Sequence, residues 1–444
     1  MATYISRTPS SAGNRKKFTI SMWVKRGGLG IDHWLVQGGT SGTEFDIRFN
    51  TSDQIRFSEY ASSTGYGLIT NRKFRDTAAW YHLVFTYDSA QSTDTDRNKI
   101  YVNGEQILAS DCTAYDSGKH PPQNHDNAAW NNTTEFRIND VTWTSSSAKD
   151  AIYTHIHHTD GYAYAASDFG ETDSTSGIWK PKTGPSVTYG TNGFFLKFAD
   201  SSNLDLDSSG NNLTFATSGT LTQNVDTPNN NFATLNKLST HGNNSLTNGS
   251  LTIGFNANTS YTNCLGNMGV SSGRWYAECK LAGVSTYYPA LGIASMGNNT
   301  YRYNDPLYTG AHLGADEGSA YFKHGNIQAA GSTVGNYASF TTGDIIGMYL
   351  DLESGTKTMK YYKNDSLIVS FTITPVDGQF YTFGATGTSS SDIANFNFGQ
   401  GFFGTTAVSS SNADANGEGL FEYNPTLSGV NYYALCTNNI KEFG

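Results

Sequence analysis

FTISMWVKR, residues 18–26, is the stretch that decides how this chain folds: Phe18, Ile20, Met22 and Val24 alternate with Thr19, Ser21, Trp23 and Lys25. A period of two belongs to a strand with one face on a core and the other toward water. AAWYHLVFTYD at 78–88 repeats it, with Tyr81, Leu83, Phe85 and Tyr87 on one side. Asp88 and the polar run to Arg97 then turn the chain into KIYVNGEQI at 99–107. In that segment Asn103-Gly104 predicts a two-residue hairpin, because both residues tolerate positive φ in a type I′ turn.

The rest of the composition agrees with an all-β chain. A length of 444 residues allows two or three domains of about 150 residues, each with its own core. Only 15% of residues are charged, against about 25% in an average globular protein, so Asn, Ser, Thr and Gly must solvate the surface. A formal net charge of -10 and the lack of a Lys/Arg run argue against nucleic-acid and anionic-membrane partners. No apolar run approaches the roughly 20 residues of a membrane span, so no membrane insertion is expected. The opening MATYISRTPSSAGNRKK has no apolar segment of a secretory signal. Cys112, Cys264, Cys279 and Cys436 form no CxxC pair, which points to reduced thiols and away from zinc. Sequons such as Asn131-Asn132-Thr133 are expected by chance in so Asn/Ser/Thr-rich a chain.

Four regions follow from the pattern: a sandwich over 1–185, connecting strands and a polar linker over 186–250, a second sandwich over 251–405, and a C-terminal extension over 406–444. The linker itself is placed in TPNNNFATLNKLSTHGNNSLTNGS, 227–250, which has little hydrophobic content. GRWYAECKLAG at 273–283 puts Trp275, Ala277, Cys279 and Leu281 on one face and Arg274, Tyr276, Glu278 and Lys280 on a wet one. Residues 342–371 read as three strands, turning at Glu353-Ser354-Gly355 and at Lys363-Asn364-Asp365, and ANFNFGQGF closes the set at 394–402. The predicted fold is thus all-β, two antiparallel β-sandwich (jelly-roll) domains in tandem.

The order of the three N-terminal stretches resembles the laminin G-like, or concanavalin A-like, sandwich, a module that usually binds and seldom catalyses. In the second half, "W-Y-x-E", "L-G-I-A", "G-D-x-I-G-x-x-x-D", "Y-K-N" and "N-F-G" occur in order over about 130 residues and closely resemble the SPRY, or B30.2, domain, which recognises partners through loops at one end of a β-sandwich. Both modules together, with YISRTPSSAGNRKKFTISMWVKR at the start and NYYALCTNNIKEFG at 431–444, resemble tail-fibre and virion-surface proteins of tailed bacteriophages. That resemblance implies a non-enzymatic structural protein displayed on the virion and made in the host cytoplasm. Its expected partners are other virion proteins, a host surface polysaccharide or receptor, and further copies of itself, since virion appendages are symmetric. A decoration or connector of head or tail, binding only protein, is the alternative, and a polysaccharide depolymerase is a third.

Candidate binding residues are aromatic. STYYPALGIASMGNNTYRYNDPLYTG, 285–310, sets Tyr287, Tyr288, Tyr301, Tyr303 and Tyr308 among turn residues, where flat amphipathic rings suit recognition or simply cover a sandwich end. Trp130, in the polar loop PPQNHDNAAWNN, is read the same way, as a ring to stack on a sugar or to close the core. Asp205, Asp207 and Asn211 would suit a calcium loop or plain turn chemistry, so calcium is the one cofactor left open. His155 and His157 share a face at strand spacing, but no third metal ligand lies near in sequence. Glu44 and Asp46 fill two places of a glucanase E-x-D-x-x-E strand, and Phe49 stands at the third. The chain is expected to be no enzyme.

Overall fold

The computed structural model describes residues 3–144, 147–240, 244–256, 258–286, 289–296, 312–315 and 317–444, without the side chains of 258–260. The chain divides into two compact units, Met1–Gln223 and Asn224–Gly444, each an antiparallel sandwich as the alternation predicts. In the first unit an eight-stranded sheet runs in the order Cys112–Ala114, Thr64–Lys73, Gln54–Ala61, Thr43–Phe49, His33–Thr40, Phe136–Ile138, Tyr4–Arg7, Ala216–Ser218. Its partner is six-stranded, in the order Phe194–Leu196, Ala151–Asp160, Lys17–Arg26, Trp80–Asp88, Asn98–Val102, Glu105–Ile107. Phe18, Ile20, Met22 and Val24 pack between the sheets with Phe45, Ile47, Phe57, Leu83 and Phe85. The hairpin at Asn103-Gly104 has the predicted geometry, with φ of 50° and 90° and Val102 paired to Glu105.

The other face of Lys17–Arg26 is not wet. Thr19, Ser21, Trp23 and Lys25 are all at most 3% exposed, and residues 161–190 strap across the outside of the six-stranded sheet above Thr19, Val84 and His82. The strap is stitched down at its main chain. Thr19 donates to the Tyr162 carbonyl (3.0 Å) and accepts from the Tyr164 N–H (2.8 Å), and Thr86 donates to the Tyr164 carbonyl (2.6 Å). Ala166 and Phe169 then bury against Val84, beside Tyr164, Trp179 and Val187. A strand polar on one side thus becomes buried on both, its Thr19 hydroxyl satisfied by the strap main chain and its Ser21 hydroxyl by His82.

In the second unit a seven-stranded sheet runs Leu235–Thr240, Asn258–Gly266, Tyr381–Ser389, Ala290–Ser295, Ser319–Phe322, Asn326–Ala329, Ser332–Asn336. The facing sheet runs Ser245–Thr247, Thr252–Gly254, Ile393–Asn397, Arg274–Gly283, Ile345–Asp351, Thr358–Lys363, Ser366–Thr372. Trp275, Ala277, Cys279 and Leu281 enter the core as predicted. Their neighbours do not meet water: Tyr276 and Glu278 are fully buried beneath the C-terminal residues, against Phe421, Tyr432 and Ala434. Asn397 and the N–H groups of Glu422 and Tyr423 donate to the Glu278 carboxylate, at 3.2, 2.9 and 2.8 Å.

The predicted boundaries therefore shift. Residues 186–223 complete the first sandwich, with Phe194 and Leu196 in its core and Ala216–Ser218 paired to Tyr4–Arg7. The supposed linker is structured: Phe232, Ala233 and Leu235 are fully buried and Leu235–Thr240 joins a sheet. The supposed extension belongs to the second unit, where Tyr433–Ala434 pairs in parallel with Arg274–Gly283 and the helix Thr437–Phe443 stacks Phe443 on Tyr433 at 3.9 Å. Polar composition misled here because Asn and Asp side chains bind main chain inside these segments; Asp414, for one, accepts from the N–H groups of Glu418 and Ala434.

Candidate functional site

Trp130 is a core residue, not a stacking platform. It is 1% exposed, with Phe136, Phe45 and His158 ring centres within 5.1 Å. The Asn127 carboxamide oxygen accepts the N–H groups of Ala129 and Trp130, at 3.1 and 2.8 Å, and so folds the loop inward. Gly38 leaves room for the ring, since a Cβ there would meet it at 3.2 Å. Tyr287, Tyr288, Tyr301, Tyr303 and Tyr308 lie outside the described residues.

The oxygen-rich turn is only partly assembled. Asp207 accepts the N–H groups of Phe195, Ser209 and Leu213 and the Ser209 hydroxyl, and the Asn211 amide donates to the carbonyls of Gly190 and Gly193. Asp205 instead accepts from Thr217. Both Asp207 oxygens are thus engaged by the turn itself, so calcium coordination would require breaking those bonds.

The histidines are also structural. A bulge between Thr154 and His157 reorients the strand, with His155 at φ 49°. His157 stacks on Phe195 at 3.9 Å and bonds the Tyr189 hydroxyl. Burial presses His155 and His158 down to about 4 and His82 to about 3. His82 lies 2.9 Å from the Ser21 hydroxyl, a pairing that superficially suggests a nucleophile and its base. The tautomer forbids it: the Trp179 N–H donates to His82 Nδ1, so Nε2 carries the proton and donates to Ser21. A base would need that lone pair free.

The eight-stranded sheet carries a different kind of surface on its outer face. Register aligns Gln37, Asp46 and Ser58 in one row, Trp34, Arg48 and Arg56 in the next, and Glu44 with Tyr60 in a third. Arg48 and Arg56 stand directly opposite, an arrangement that like charges normally make unfavourable. Asp46 relieves it from between them, 3.5 Å from Arg48 and 2.5 Å from Arg56, with Ser58 donating at 3.1 Å. Each arginine backs a ring: Arg48 lies 4.9 Å from the Trp34 centre, Arg56 3.9 Å from Tyr115, and Arg137 4.4 Å from Tyr4. The Thr142 N–H donates to Gln37, which brings neighbouring Trp143, 41% exposed, to the border of this face.

Charge and flatness are therefore fixed in one plane by side chains that brace one another. Glu44 is half-buried there, its carboxyl raised above the usual range by burial and then by Asp46. Asp46 is compensated by two guanidinium groups, and Phe49, at the third glucanase position, is buried in the core. Asp46 and Arg56 are themselves buried, so this face offers a ligand the partly exposed Trp34, Tyr60, Glu44 and Arg48, groups that suit a hydroxylated ligand with a flat apolar face. Sequence reading noticed Glu44 and Asp46 but passed over Trp34 and Trp143. The usable signal was the cross-strand match of EFDIRF with IRFSEY, which sets acid, arginine and tyrosine on one side.

Comparison with known proteins finds a family match in the first unit. Residues 2–151 match the family described as the concanavalin A-like lectin/glucanases superfamily. No curated protein matches the chain. Among solved structures, the SPRY domain of human HERC1 is similar at 16% identity over 36% of this chain and 96% of that one, with a TM-score of 0.30. The TRIM65 PSpry domain is similar at 14% identity over 37% and 88%, with a TM-score of 0.29. The first unit thus carries a laminin G-like, concanavalin A-like domain over residues 2–151, and SPRY domains stand among the solved structures similar to the chain.

Proposed function

We propose that this protein is a non-enzymatic surface component of a bacteriophage virion, an adhesin whose first unit binds a host-surface glycan on the outer face of the eight-stranded sheet. The carrying observation is that face itself, where half-exposed Trp34, Glu44 and Arg48 are braced from beneath by buried Asp46 and Arg56, and where exposed Trp143 follows Thr142, whose N–H bonds Gln37. The lectin and glucanase membership of the matched family supports a saccharide ligand, and the likeness of the chain's phrases to tail-fibre proteins supports the virion setting. Attachment to other virion proteins falls to the remaining surfaces.

The test is retention of the labelled full-length protein on host cells and on purified envelope polysaccharide, scored beside release of reducing sugar. An adhesin is retained without releasing sugar, and Trp34→Ala or Trp143→Ala lowers retention at least tenfold. Binding only to other virion proteins would replace this reading with that of a decoration or connector. Release of sugar that Glu44→Gln abolishes would make the protein a depolymerase.

A further inference from the structure

The last strand at each side of a sheet leaves outward N–H and C=O groups open to another strand, and proteins usually blunt such edges. Among the described residues the four large sheets have eight edges. Five are three-residue strands: Cys112–Ala114, Ala216–Ser218, Phe194–Leu196, Glu105–Ile107 and Ser245–Thr247. Leu235–Thr240 carries Lys237 and slips register against its neighbour, and Ser332–Asn336 contains Gly335 and faces a register break. The eighth edge, Ser366–Thr372, is seven residues long, and no charged residue occurs from Ser366 to Pro375. Its one irregularity lies near the start, between the Tyr361↔Val369 and Tyr362↔Leu367 pairs, and Val369 to Thr372 runs in regular register.

The register tells which groups face out. The Ile373 N–H donates to the Lys357 carbonyl, and backbone polarity alternates along a strand, so Val369, Phe371 and Ile373 bond inward. Ser370 and Thr372, both exposed, turn their N–H and C=O groups to the open side. Phe371 and Ile373 pack on the rim of the core and remain half-buried.

We propose that this edge pairs with the same edge of a second copy of the chain, antiparallel about a two-fold axis through Phe371. In that register most pairings are of like with like, Ile368 opposite Thr374 being the exception. Ser370 meets Thr372, Ile373 meets Val369, the two Phe371 rings meet across the axis, and Leu367, 54% exposed, meets Pro375. Ser370 and Thr372 supply the hydrogen-bonded pairs, which leaves Phe371 at the closer, non-bonded position where side chains touch. Asp365 and Asp377 would oppose one another just beyond each end, so the ladder stops at the strand limits. The occupant follows from the register: a strip without charge that is self-complementary about Phe371 is matched by its own copy, and such an isologous contact closes at two.

Sedimentation equilibrium of the full chain across micromolar concentrations tests this. The mass should double with rising concentration. Ser370→Pro removes an outward N–H without touching the inward ladder, and Ser370→Lys sets charge against charge across the axis. Each should remain monomeric with an unchanged circular dichroism spectrum, while Thr333→Lys, on the edge of the facing sheet, should dimerise like the natural chain. A natural chain monomeric throughout overturns the proposal, as does a dimer that survives both Ser370 substitutions. Should Ser370→Pro fail to fold, the Ser370→Lys comparison decides alone.

Discussion

Replacing Glu278 by Gln should remove a pH dependence that belongs to the second unit alone. Glu278 accepts from the Tyr276 hydroxyl, Asn397 and two C-terminal N–H groups, and all four favour the carboxylate. Burial outweighs them and pushes the carboxyl up to about 7 from its usual 4.5. A folded value above the unfolded one means that the native state holds the proton more tightly. Its stabilising effect is complete below pH 4.5 and is lost as the pH rises through 7. A displacement of about 2.5 pH units, at about 1.4 kcal/mol each, gives a loss on the order of 3 kcal/mol across that window. Hydrogen exchange in a urea series, followed on peptides from each unit, measures it. Glu278→Gln cannot ionise, so its second unit should show no such slope, at a pH-independent cost of about 1–3 kcal/mol because the amide N–H₂ confronts donors. A natural chain whose second unit is flat or gains stability from pH 5 to 7.5, or a Gln variant that keeps the slope, refutes the reasoning.

The first unit should respond to pH in the opposite sense. His82, His155 and His158 are held neutral by burial, so unfolded chains take up protons below 6.5 that the native state refuses, and stability falls by about 1.4 kcal/mol per pH unit for each histidine. The same urea series run from pH 7 to 5 should therefore lower the first unit's midpoint. Asp46→Asn leaves Arg48 and Arg56 opposed without their shared carboxylate and should destabilise that unit by about 3–5 kcal/mol, read from its urea midpoint at neutral pH. Trp130→Ala should cost about 3–5 kcal/mol of the same stability, with glycan retention unchanged wherever the variant is folded, since the ring lies inside the core.

Much of the architecture was legible in the sequence because alternation is a local property. Lys17–Arg26, Trp80–Asp88 and Arg274–Gly283 lie where their period-two patterns predict, and the Asn103-Gly104 and Asn364-Asp365 turns carry the positive φ those residues tolerate. What alternation cannot tell is whether the polar side of a strand meets water or a distant segment. Thr19 and Ser21 look the same in either case, and it is Tyr162 to Trp179, some 140 residues on, that covers them. Glu278 was misread for the same reason, its partners being Glu422 and Tyr423. Trp130 failed through side-chain chemistry: in a loop of Asn and Asp, Asn127 bonds main chain and turns the ring inward. At the candidate face, Glu44 and Asp46 stood out as carboxylates, but the ring beneath Arg48 became visible only once Trp34 was paired to it across the strands.

The strap over the six-stranded sheet divides the first unit's two outer surfaces by their freedom to vary. A substitution at Thr19, Ser21 or His82 must satisfy a second layer of packing, so that side of the molecule admits little change without loss of the fold. The opposite sheet face is covered by no such strap: its Trp34, Glu44 and Tyr60 stay partly exposed over the buried brace of Asp46 and Arg56. Trp34, Glu44, Tyr60 and Trp143 can therefore be exchanged one at a time while the sandwich beneath stays the same.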